Sequence, residues 1–266
     1  MNIFDDTGRC IPRENNRVFS KGKPNNYYTI DKYEINYSSI YNNYKDHLTS
    51  GIDIELADFK LNVSKLIKKI EDNNSFSKLL KGVYVPFYFK LDTTFVDLGT
   101  NLEKIVLKDL NKSFTSLYKQ SHFKAILQGD TQLKESIKIS NNSNYDNFIE
   151  LSKNGVVGVY FPQVFQEFDI DSQRSAIGNF PDSDFNICLS GGFDICSALI
   201  GSPGLLTSNK TYSPILCMSS FIHSDPRLVL LLKSYGPHLE FWLMTQMLTP
   251  TTKQVSEQWA GGISVF

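Results

Sequence analysis

The clearest pattern in the chain is helical. Leu56, Phe59, Val63, Leu66, Ile67 and Ile70 recur at the three- and four-residue spacing of one helix face. Lys60, Lys65, Lys68 and Lys69 lie off that face, so an amphipathic helix is predicted, ending in the polar run 71–75. A second helical period runs through Leu102, Ile105, Val106, Leu110, Phe114 and Leu117, and continues in Phe123, Ile126 and Leu127 behind a break at 120–122. Thr100 and Glu103 stand before it at capping-box spacing. Shorter helices are predicted over 38–51, 148–155 and 170–180. Gly51 and Gly155 would stop the first two, and Asp171 or Ser172 would cap the third.

Strand patterns fill the spaces between and dominate the second half. Residues 83–89 alternate around Pro86, which points to an edge position or a bulge. Residues 30–37 alternate weakly and read as an edge strand. The runs 136–140, 185–189 and 214–221 read as strands, and the apolar run 156–161 as a buried strand stopped by Pro162. Two apolar runs flank Tyr235–His238 within 227–246, the pattern of a hairpin, although a helical period also fits 239–248. The last residues, 261–266, read as a final strand. The whole is an α+β chain, with helices mainly in the N-terminal half and a largely antiparallel sheet in the C-terminal half. Residues 1–27, polar and without period, form an irregular arm before a single compact domain over 28–266.

Composition refines this picture. Hydrophobic residues at 41% and charged residues at 21% are globular values. The 19 Phe and 13 Tyr favour a core that contains a sheet. Of the 27 Lys and Arg, 21 fall in residues 1–150, so the C-terminal part is poor in charge and should carry most of the core. A net charge of −1 lacks the basic footprint of a nucleic-acid binder. The longest apolar run, near 228–232, is far short of a membrane span, and the first residues lack the apolar segment of a signal peptide. Four cysteines, Cys10, Cys188, Cys196 and Cys217, show no CxxC spacing. They read as reduced thiols of a cytoplasmic protein.

Candidate chemistry centres on the stretch 185–201, FNICLSGGFDICSALIG. Ser190, Gly191, Gly192 and Asp194 resemble the SGGxDS phosphate loop of ATP-adenylating enzymes, over six positions and with Ile195 in place of the final Ser. The resemblance implies that backbone N–H groups and the following helix N-terminus hold a phosphate. In that family the loop opens a parallel α/β domain, whereas the runs after Asp194 look antiparallel here. The residues themselves point to a tight strand-to-helix turn, its glycines needed for geometry and Asp194 capping the helix.

Other constellations are weaker. Cys196 would lie in a first helical turn, with His223 and Asp225, or His238, as base and orienter, but Cys188, Cys196 and Cys217 all sit in apolar runs that suit a buried thiol. Asp169 and Asp171, beside Glu167, have the DxD spacing of a divalent-ion site and equally the acid richness of a helix start. No cofactor or metal site is expected. Tyr27, Tyr28, Tyr33, Tyr37, Tyr41 and Tyr44 cluster with Asn and suit an interface. The leading expectation is a protein that acts by binding a protein partner or by self-association, without a catalytic centre. The alternative is a phosphate- or nucleotide-binding enzyme or sensor using Ser190–Asp194.

Overall fold

A computed structural model describes residues 3–20, 26–126, 133–207, 212–249 and 252–266. Helices come first: α1 (Tyr37–His47), α2 (Leu56–Asp72) and a 3₁₀ turn Ser77–Lys81. Strand β1 (Val85–Phe89) leads to α3 (Leu98–Asn101), which passes through the π turn Leu102–Val106 into α4 (Leu107–Leu117). Then come β2 (Phe123–Ile126), β3 (Ile137–Ile139), α5 (Tyr145–Ser152), β4 (Val156–Gln166) and α6 (Ile170–Ile177). Strand β5 (Ile187–Leu189) enters α7 (Gly192–Gly201). The rest is strands: β6 (Ile215–Cys217), β7 (Phe221–His223), β8 (Leu228–Tyr235), β9 (His238–Thr245), β10 (Met247–Thr249), β11 (Thr252–Lys253) and β12 (Trp259–Val265).

The fold is α+β in one domain, with helices mostly N-terminal and strands mostly C-terminal. Its main sheet runs β1-β4-β12-β6-β8-β9-β2, and β5 also pairs with β12. One flank of β12 is antiparallel to β4, while the other is shared by parallel β6 and antiparallel β5. Every residue of β12 is buried, as expected of a central strand covered on both faces. The β8–β9 hairpin forms as its apolar runs predict, turning at Gly236 with φ +56°. Pro86 lies in β1, an edge strand, where its missing N–H breaks no central ladder. No helix among the described residues is long and apolar enough to cross a membrane.

Several local expectations are corrected. Residues 30–36 form no strand, because Asn36 accepts the Ser39 N–H (3.0 Å) and starts α1 one residue later. The α3 cap is Asp97, which accepts the Thr100 N–H (2.9 Å), and Glu103 reaches the Leu133 N–H (3.0 Å) instead of closing a box with Thr100. The helix then stops at Leu117, and Phe123–Ile126 pair with β9 in parallel. Leu127 and Gly129 lie outside the described residues. The cap of α6 is Asp169, whose Oδ1 accepts the Ser172 N–H (2.7 Å), so neither Asp171 nor Ser172 holds that place. Residues 214–221 divide between β6 and β7.

Pro162 does not stop β4. Phe161 pairs with Ile263 and Phe165 with Gly261, so 162–164 bulge opposite the single residue Gly262. A bulge leaves its residues outside the ladder, and proline is tolerated there. The N-terminal segment uses the backbone so released: Cys10 N–H bonds Val164 O (2.7 Å), and Phe19 N–H bonds Glu167 O (2.9 Å) beyond the strand end.

Candidate functional site

Helix α7 is buried at all ten residues and apolar nearly all round, the signature of an internal helix. Its polar groups therefore need partners from the surrounding elements. From the middle of the helix to its C-terminal end, Tyr44 Oη donates to Ser197 O (3.0 Å), Ser113 Oγ to Ile200 O (2.7 Å) and Asn43 Nδ2 to Gly201 O (2.9 Å). Midway, the Ser197 hydroxyl donates to Tyr88 O.

The N-terminal end is the SGGFD turn, and it is a strand-to-helix corner. Phe193 is buried against Phe89 and Phe221. Neither glycine has positive φ; space is what excludes a side chain. A Cβ on Gly191 would lie 2.7 Å from the Tyr145 ring, and one on Gly192 would lie 2.7 Å from the Phe221 ring. Asp194 does not accept from Cys196 or Ser197. It reaches back, accepting the Gly191 N–H (2.8 Å) and the Tyr145 hydroxyl (2.9 Å) at Oδ1 and the Ser264 hydroxyl (2.6 Å) at Oδ2. The Tyr145 oxygen in turn accepts the Phe193 N–H (3.1 Å) and the Asp194 N–H (3.4 Å). Ser190 N–H bonds Gly262 O (3.0 Å). The helix start thus already holds an acceptor of its own, the Asp194 carboxyl group, and three of the surrounding amides are engaged by Asp194 and Tyr145.

Burial pushes the Asp194 carboxyl up, against the opposing pull of its bonds from Ser264, Gly191 and Tyr145. Burial also drives the Tyr145 hydroxyl far above its ordinary value, reinforced by the adjacent carboxylate. Tyr145, 49 residues upstream of Asp194, carries no motif that would have announced it.

All four cysteines are buried and unpaired. Burial raises the Cys188 and Cys196 thiols well above their usual range, and pushes Cys10 and Cys217 up to about 12. A thiol in that state is a poor nucleophile. The suggested base and orienter are engaged elsewhere. His223 Nδ1 accepts the Asp225 N–H (2.9 Å), and the Asp225 carboxylate holds the Arg227 guanidinium (2.6 Å). His238 stacks on His122 with ring centres 3.8 Å apart.

The three acids do not converge on one point. Asp169 caps α6, Asp171 pairs with Lys253 (2.6 Å), and Glu167 accepts the Ser20 N–H (3.1 Å). Among the described residues no group of three or more His, Cys, Asp or Glu side chains is placed to hold a metal ion.

The tyrosines divide. Tyr44 is fully buried, and Tyr33, Tyr37 and Tyr41 pack half-buried against the core. Tyr27 and Tyr28 instead meet Tyr212 at the surface. Tyr27 and Tyr212 stack with centroids 4.9 Å apart and an interplanar angle of 24°, and they are 55% and 61% exposed. Tyr28 stands edge-on to Tyr27 at 5.4 Å. The group is anchored by the Thr29 N–H to Tyr212 O (3.1 Å), Gln166 Nε2 to Tyr28 O (2.7 Å) and Gln258 Nε2 to the Tyr28 hydroxyl (3.1 Å). No family model, no curated protein and no solved structure matches this chain.

Proposed function

We propose that the protein acts by binding a macromolecular partner, most directly another protein, through the face formed by Tyr27, Tyr28 and Tyr212, without covalent chemistry of its own. The observation that carries this is the stacked, exposed Tyr27–Tyr212 pair. Two large rings held at the surface present apolar area and hydroxyls together, the combination favoured at interface centres. Their mutual stacking and the amide anchors on Tyr28 order them before any partner arrives, which lowers the entropic cost of association. The buried thiols and the internally satisfied carboxylate at α7 fit a chain whose polar interior serves the fold. Four unpaired cysteines fit a reducing compartment such as the cytoplasm.

The test is site-specific photocrosslinking in the source cells. A photoreactive phenylalanine analogue replaces Tyr212 in one variant and Leu61, an exposed residue of α2, in another. A discrete adduct from position 212 and none from 61 is expected, and an adduct of twice the chain mass identifies self-association. Equal, diffuse labelling at both positions would remove the reading.

A phosphate held by Ser190, Gly191, Gly192 and Asp194 is the weaker proposal. It requires Asp194 and Tyr145 to withdraw from amides they already satisfy. Nucleotide binding lost in Asp194→Asn at unchanged stability would restore it.

A further inference from the structure

The N-terminal segment carries a second feature that the tyrosine face does not use. Residues 5–9 fold into a turn around Asp5, whose Oδ1 accepts the Thr7 N–H (2.8 Å), the Thr7 hydroxyl (2.7 Å) and the Arg9 N–H (3.1 Å). Gly8 lies inside it at φ +80°, so close to the end of the 3₁₀ turn that a Cβ would sit 2.7 Å from Gly82 N. That close approach places Arg9 and Lys81 on the wall of one cleft of about 160 Å³, together with Thr7, Thr29 and Gln163.

The Arg9 side chain is half-buried. Among the described residues its guanidinium makes no hydrogen bond and no ion pair, and neither does the Lys81 ammonium. The nearby carboxylates have other partners: Asp5 holds its own turn, Asp6 pairs with Lys78 (2.8 Å), and Glu167 accepts the Ser20 N–H. Burial pulls the Arg9 guanidinium down from its ordinary range, with Asp5 and Glu167 opposing at longer range. A guanidinium taken partly out of water without a partner is costly, and buried charges are ordinarily paired.

We propose that this cleft binds a phosphate group, with Arg9 and Lys81 as its two cationic contacts. The guanidinium offers a planar fork of donors that matches phosphate oxygens, and the ammonium adds a point charge, so that two cations face a dianion. Thr7 and Thr29 line the same space. Its volume is below the roughly 300 Å³ at which pockets for drug-sized ligands begin. It therefore suits the phosphate itself or a small phosphomonoester.

Titration calorimetry and thermal melting decide this, with inorganic phosphate and O-phosphoserine as probes and sodium chloride holding ionic strength constant. The protein is expected to bind inorganic phosphate, with affinity reduced by about tenfold or more in Arg9→Met and in Lys81→Gln, as for loss of a charged hydrogen bond. Without phosphate, Arg9→Met should melt no lower than the native chain, because an unpaired charge has left a half-buried place. Binding of O-phosphoserine as well extends the site to monoesters, and binding of inorganic phosphate alone restricts it to the free ion. General stabilisation by an excluded salt would be the same in all three proteins. No binding by the native chain, or unchanged affinity in both variants, would overturn the proposal. If Arg9→Met fails to fold, Lys81→Gln, altered at an exposed position, decides alone.

Discussion

Asp194 gathers three donors, from Gly191, Tyr145 and Ser264, in a place closed to solvent. Replacing it with alanine strands all three, so Asp194→Ala is expected to cost about 3–5 kcal/mol in urea unfolding, well beyond the loss of an exposed cap. Asp194→Asn keeps an acceptor for Gly191 and should cost less. The two side chains also separate by pH. Because burial raises the Asp194 carboxyl, the native state holds its proton more tightly than the unfolded chain does. Its contribution is complete below the unfolded value and drains away as pH rises through the folded one. The native chain should therefore lose stability relative to Asp194→Asn as pH rises from about 4, the ordinary carboxyl value, toward neutrality. Parallel pH profiles would contradict this. Gly191 tests the corner from the other side. Alanine is conformationally at ease at φ −121°, so Gly191→Ala should cost about 1–3 kcal/mol purely through collision with the Tyr145 ring.

The elements show what a linear pattern can and cannot convey. Helix α2 is legible because it buries one face and so imposes its period on the sequence, and the β8–β9 hairpin because two apolar runs flank one short turn. Caps were not. Asp97 and Thr100, or Asp169, Asp171 and Ser172, carry interchangeable chemistry within three residues, and only geometry selects among them. Phe123 and Ile126 fit a helical period by chance of spacing, whereas their partners in β9 lie more than a hundred residues on. Ser190–Asp194 could be recognised as a corner from its glycines, but its true anchor, Tyr145, and the surface partner of Tyr27, Tyr212, come from distant segments. Gly99 is another position whose role no local pattern reveals. Its α-carbon packs on the chain at Leu133, where a Cβ would fall 1.7 Å from the carbonyl oxygen. Backbone cannot swing aside as a side chain can, so Gly99→Ala is expected to lower stability by about 3 kcal/mol or more, measured by urea unfolding.

For the whole molecule, the decisive feature is the arrangement around β12. It joins β4, β5 and β6, strands drawn from well-separated parts of the sequence, into one continuous sheet. The β8–β9 hairpin, by contrast, closes over the single tight turn at Gly236 and Pro237. These two kinds of pairing differ in time. A hairpin forms in about 1–10 μs, whereas strands far apart must first lose the entropy of the intervening loops, which slows folding in sheets rich in distant contacts. The order of assembly is thereby set from the rim inward. In refolding followed by pulsed hydrogen exchange, the amides shared by β8 and β9 are expected to gain protection before those shared by β12 and β4. Simultaneous protection of both sets would show that the sheet closes in one step. During the interval the partners of β12 stand with open ladders, and an open ladder accepts a strand from any chain. The central strand that locks the finished fold therefore makes its refolding sensitive to concentration, and the yield of native protein should fall as the chain is refolded at higher concentration.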